Sequence, residues 1–181
     1  MGEHPRFWVA FSILLASLAL AMFMSVVLTI RAHAAPMPSP PIVHITNDGG
    51  GSVTEYYQRY KALSNAGTEI HFHGWCMSAC TMFLFTEFTG IKACADPGAM
   101  FGFHKPFQMK ADRKTVLRTK AAVRSARQIW SLYLESLPPL LRQYLKRVRV
   151  PSPTAGDETN TMLIIPAEML LPKCPMTVAA Q

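Results

Sequence analysis

Acidic residues are scarce in this chain: 11 Asp and Glu stand against 18 Lys and Arg over 181 residues, a formal charge of +7. No Gly-x-x-x-x-Gly-Lys-[Ser/Thr] run occurs, so the phosphate-cradling loop of nucleotide hydrolases is excluded. Only four cysteines occur, none in a Cys-x-x-Cys pair, and the histidines are not spaced as ligand sets along the chain. Neither a metal nor any other cofactor is therefore expected. Internal repeats are absent, and low complexity is confined to one short proline tract, which rules out a solenoid.

What is present begins with a polar start ending in Arg6 and an apolar run from Phe7 to Ile30. Ala32-His33-Ala34 follows with the small-x-small pattern of signal peptidase cleavage. The run exceeds an ordinary signal core and is long enough to span a bilayer, so residues 1–34 read as a cleaved signal peptide or a retained anchor. Either way the body is exported, to the periplasm or an equivalent extracytoplasmic space. There the cysteines are disulfide candidates. Of the three connectivities, Cys80–Cys94 is favoured, leaving Cys76 and Cys174 to pair or stay free; Cys76–Cys80 would constrain little.

Residues 35–41 form a proline-rich linker, and residues 42–181 suit a single domain. Ile42–Thr46 reads as a buried strand, Asn47-Asp48-Gly49-Gly50-Gly51 as a turn, and Ser52–Asn65 as a helix with apolar residues at helical spacing. Strands are expected at Glu69–His73, Ile91–Ala95, Ala99–Phe103 and Met162–Ile165, with a helix behind Ser78. The alternation predicts an α/β fold of crossover units around a mostly parallel sheet. A helical hairpin is expected over about 107–149, its first helix from Asp112 to Leu137 and its second from Leu140 to Val148, broken at Pro138-Pro139. Its cations face only Asp112 and Glu135, a solvated face that would also suit an anionic membrane surface; export argues against nucleic acid.

Three segments carry chemistry in order: the glycine turn, Gly74-Trp75-Cys76-Met77-Ser78-Ala79, and Phe101-Gly102-Phe103-His104-Lys105-Pro106. A serine at a strand-to-helix junction, a histidine after an apolar strand and glycine-rich backbone can supply nucleophile, base and oxyanion donors. Singly, each is more often a cap, a packed side chain or a tight turn. In this order and spacing, residues 42–106 resemble the core of the Clp protease proteolytic subunit, within the crotonase-like fold. The resemblance implies Ser78 as nucleophile, His104 as general base, and the N–H groups of Gly51 and Ala79 as the oxyanion hole. It places Asn160, or Asp157 one turn earlier, at the third catalytic position. It also implies a homo-oligomer assembled through the hairpin, as a handle, and a peptide or unfolded-protein substrate. Export removes the ATP supply on which an unfoldase partner would depend. The function expected is an exported serine peptidase acting alone, and the alternative is a non-catalytic scaffold of the same fold at the membrane surface. An acyl-CoA enzyme of the same superfold fits neither the compartment nor the Ser–His order.

Overall fold

The computed structural model describes residues 40–112 and 114–175. The expected N-terminal apolar helix, and most of the proline linker, lie outside the described residues.

Five strands form one mixed, mostly parallel sheet. β1 (Ile42–Asp48), β2 (Glu69–Met77), β3 (Lys92–Ala95) and β4 (Met100–Phe103) run parallel where they pair, and β5 (Leu163–Pro166) lies antiparallel to β4. β2 is the centre. β1 pairs along one side; on the other, β3 pairs with Glu69–Phe72 and β4 with Trp75–Met77. The long central strand thus carries two short neighbours in succession.

β1 was expected to be buried, yet only Ile45 is fully enclosed, with Ile42, His44 and Thr46 exposed on the other face. It is a sheet edge, where period-two alternation puts one face to solvent. Helix α1 (Val53–Asn65) starts at Ser52, whose hydroxyl accepts from Glu55 N. It buries Tyr60, whose hydroxyl donates to the Cys80 carbonyl at 2.8 Å. Around Tyr60 the core is aromatic: Phe72, Phe83 and Phe101 meet pairwise with centroids 4.5–5.3 Å apart.

Helix α2 (Lys120–Ser136) begins later than expected. The Asp112 carboxylate accepts from the amides of Lys114 and Thr115, and Leu117 N bonds Gln108 O, closing a small turn where the cationic pattern read as helix. This is local side-chain competition with helix formation. Thr119 then caps α2 by accepting from Ala122 N. Pro138 ends it, and α3 (Pro139–Arg147) carries a proline at its first position. Leu134, Leu137, Leu141 and Leu145 from this hairpin are buried in the same core as the sheet, so α2 and α3 cover the domain body. Among the described residues no helix is long and apolar enough to cross a membrane.

The disulfides correct the expected pairing. The bridges are Cys76–Cys80 and Cys94–Cys174; Cys80 and Cys94 are not joined. Cys94 sits opposite His71 in the β2–β3 register, so the rest of β2 separates it from Cys80. At strand rise that is roughly 20 Å, against a Cα separation under about 7 Å for a disulfide. Cys174 reaches Cys94 because the C-terminal segment pairs with β3, with Ala95 N bonding Pro172 O and Cys174 N bonding Ala95 O. Two disulfides fit an oxidising compartment.

Candidate active site

The expected helix behind Ser78 is a tight 3₁₀ segment, Ser78–Leu84, entered directly from β2. Ser78 has φ +55° and is the only non-glycine residue with positive φ among the described residues. A left-handed serine costs energy, and such conformations gather at functional turns. The Cys76–Cys80 disulfide brackets this residue, closing the turn from both sides. Thr81 donates its hydroxyl hydrogen to the Ser78 carbonyl at 2.6 Å and accepts from the Tyr133 hydroxyl on α2 at the same separation. Burial holds the Tyr133 hydroxyl protonated, well above the usual phenol range.

The glycine turn lies against this serine. Gly50 has φ +77°, and a Cβ built on it would stand 2.8 Å from both Ala79 N and Ser78 Cβ. Only a glycine allows that approach. Asp48 pins the turn by accepting from Gly50 N at 2.9 Å, from the Tyr56 hydroxyl, and from Arg59 at 3.2 Å. Burial first, then the Asp48 carboxylate, pushes the Tyr56 hydroxyl up to about 12. The Gly50 amide is thereby occupied, whereas Gly51 N has no hydrogen-bond partner among the described residues.

His104 follows β4 and is partly buried. Its Nδ1 stands 2.8 Å from the Lys105 carbonyl oxygen. A carbonyl only accepts, so Nδ1 carries the hydrogen and donates, and Nε2 of the neutral ring is left with the lone pair. Burial lowers the pKa of His104 from its ordinary value, against a smaller upward pull from the Lys105 carbonyl. The ring is held neutral as a base must be.

Gly51, Ser78, Ala79 and His104 all line one cavity of about 710 Å³. Its walls are otherwise largely apolar, with Met82, Phe85, Phe103, Phe107 and Trp130 among them. Ser78 and His104 share this cavity without a hydrogen bond between their side chains; catalytic contacts of this kind often tighten only around substrate. The third position differs from expectation. Asp157 accepts from Arg149 at 2.6 Å and from Ser152 N at 2.7 Å, while His104 Nδ1 is bonded to the Lys105 carbonyl. Asn160 is exposed and lines a second groove outside the Ser78 cavity; the neighbouring Thr159 reaches both. The group that orients the imidazole is a backbone carbonyl, which no side-chain motif could have revealed.

Sequence spacing also hid a histidine cluster. Parallel pairing of β1 with β2 sets His44 opposite His71, and period two puts His73 on the same face. His71 further lies beside Cys94 and Cys174, with one candidate ligand atom from each within 4.8 Å of the others, but both sulfurs are committed to the disulfide.

Compared with family models, curated proteins and solved structures, the chain matches none.

Proposed function

We propose that the protein is an exported Clp-like serine peptidase that hydrolyses peptide bonds without an ATPase partner. The observation that carries this reading is the meeting of Gly51, Ser78, Ala79 and His104 on one apolar cavity, with Ser78 in a left-handed turn. His104 Nε2 takes the Ser78 hydroxyl proton as Oγ attacks the peptide carbonyl. The N–H groups of Gly51 and Ala79 hold the oxyanion. Collapse breaks the C–N bond, His104 returns the proton to the departing amine, and water then hydrolyses the acyl-enzyme by the same base. The Lys105 carbonyl keeps the imidazole tautomer that a carboxylate maintains in a Ser-His-Asp centre, but adds no full negative charge. Slower turnover than a carboxylate-backed triad follows. The apolar walls favour a substrate with a bulky hydrophobic side chain next to the scissile bond.

The test is acylation by a fluorophosphonate probe, on the full-length oxidised protein and its Ser78→Ala variant. Labelling lost in the variant supports an activated serine. Equal labelling of both, or none in the wild type, overturns it.

The occupation of Asp157 by Arg149 and Ser152 favours a second reading, a non-catalytic scaffold of the same fold. In that reading the cations Arg118, Lys120, Arg124 and Arg127, which flank one shallow groove, meet an anionic membrane surface.

A further inference from the structure

The face of the sheet opposite the core carries Glu69, His71 and His73 on β2, His44 on β1, and Asp96 just after β3. The His44 and His73 rings lie nearly coplanar, edge to edge, with centroids 5.0 Å apart, and His71 meets His44 edge-on at 5.3 Å. We propose that His44 and His73, with Asp96 behind His73 and His71 alongside, bind a divalent transition metal of the nitrogen-preferring kind, such as Zn²⁺ or Cu²⁺.

Hydrogen bonding decides the tautomers. Asp96 Oδ2 stands 2.7 Å from His73 Nδ1, so Nδ1 donates and Nε2 keeps a free lone pair. A carboxylate behind a histidine whose other nitrogen faces outward is the arrangement that orients metal-ligating imidazoles. The nitrogen facing outward points at His44 Nδ1, 2.7 Å away. The shared hydrogen between them is the one a metal would displace. Two nitrogens at about 2.0–2.1 Å from a tetrahedral ion stand about 3.3 Å apart, so the nitrogens must part by about 0.6 Å and both rings, which now point straight at each other, must swing to aim at the ion. Both side chains are solvent-accessible, and little packing resists that movement. His71 donates from Nε2 to Glu69 Oε1 at 2.7 Å and flanks the pair, but its ligand atoms gather with Cys94 and Cys174, so His44 and His73 are the two protein ligands and water would complete the shell. The carboxylates of Glu69 and Asp96 offset the charge of the ion. Imidazole nitrogens favour zinc and copper over calcium and magnesium, which take oxygen. An ion there would clip the edge strand β1 to β2, and through Asp96 to the turn after β3. The site is on β2's first half, roughly 20 Å of strand from Ser78, and stands whether or not the peptidase reading does.

The experiment uses the full-length, oxidised, metal-stripped protein without thiol reductant. Zn²⁺ uptake is measured by equilibrium dialysis and elemental analysis for the wild type, His44→Ala, His73→Ala and Asp96→Asn. One Zn²⁺ per chain is expected, with affinity falling at least ~10-fold in each histidine variant and ~10–100-fold in Asp96→Asn. Cu²⁺ bound to the unmutated protein should show coupling to two or more imidazole nitrogens by electron paramagnetic resonance, a readout independent of any variant's folding. No stoichiometric uptake, uptake unchanged in both histidine variants, or a Cu²⁺ spectrum without imidazole coupling each overturns the site.

Discussion

Ser78 keeps its left-handed conformation because its surroundings leave no other. The disulfide on either side, the Thr81 hydroxyl on its carbonyl and Gly50 against its Cβ each fix one part of the turn. Gly50 makes the sharpest residue-level test. Gly50→Ala adds a left-handed alanine, costing about 1–2 kcal/mol, and a Cβ only 2.8 Å from Ala79 N. Gly67 also has positive φ, but nothing lies within 4 Å of its Cβ position. Chemical denaturation should therefore show Gly67→Ala losing about 1 kcal/mol and keeping probe labelling, while Gly50→Ala loses more stability and most labelling. His104 supplies the second test. Its folded pKa is lowered by burial, so protonation is harder in the folded state than in the unfolded chain. The stability this group contributes is complete above the unfolded value near 6.5 and is lost as pH falls from there through the folded value. Labelling rate should follow the neutral fraction, rising through a midpoint below 6.5 and flat at neutral pH. A midpoint above 6.5 would contradict a buried, uncharged base, and His104→Gln should flatten both profiles.

At the scale of elements, α2 meets the Ser78 turn through the Thr81–Tyr133 hydroxyl pair. Tyr133 sits in the helix face against the core, stacked on Trp130 with ring centroids 5.3 Å apart, and meets Thr81 at 2.6 Å. Tyr133→Phe removes that contact while leaving the ring. A loss of about 1 kcal/mol is expected, together with a measurable fall in labelling rate, since Thr81 also holds the Ser78 carbonyl. An unchanged rate would uncouple α2 from the site. Two helix boundaries were legible from single side chains: Ser52 caps α1, and Pro138 separates α2 from α3. The start of α2 was not, because Asp112 has the same identity whether it sits within a helix or folds back on the amides of Lys114 and Thr115.

Across the whole molecule the two disulfides play different parts. Cys94–Cys174 spans 80 residues and ties the C-terminal segment to β3, whereas Cys76–Cys80 spans four. In the chain-entropy picture, removing the first costs about 4.5 kcal/mol and the second about 2 kcal/mol. The double variant Cys94→Ser/Cys174→Ser should thus lower the melting temperature more. Cys76→Ser/Cys80→Ser should instead depress Ser78 labelling out of proportion to its stability loss. Non-reducing peptide mapping provides the direct check, and recovery of a Cys80–Cys94 peptide would contradict both bridges.

The amino-acid order alone determined the α/β alternation, the mostly parallel sheet, the proline break in the hairpin and the three segments that line the cavity. These follow from local periodicity, turn chemistry and spacing, which a linear chain displays directly. Tertiary structure decided the rest. Strand register set Cys94 opposite His71, and so assigned the disulfides and gathered His44, His71 and His73 on one face. The orienting group of His104 proved to be the Lys105 carbonyl, an atom every residue possesses. The Asp157 carboxylate went to Arg149 and Ser152 N, partners that only folding supplies. Register and backbone acceptors depend on which strands meet and how far each slides. That is fixed by burial of the shared aromatic core rather than by any one segment.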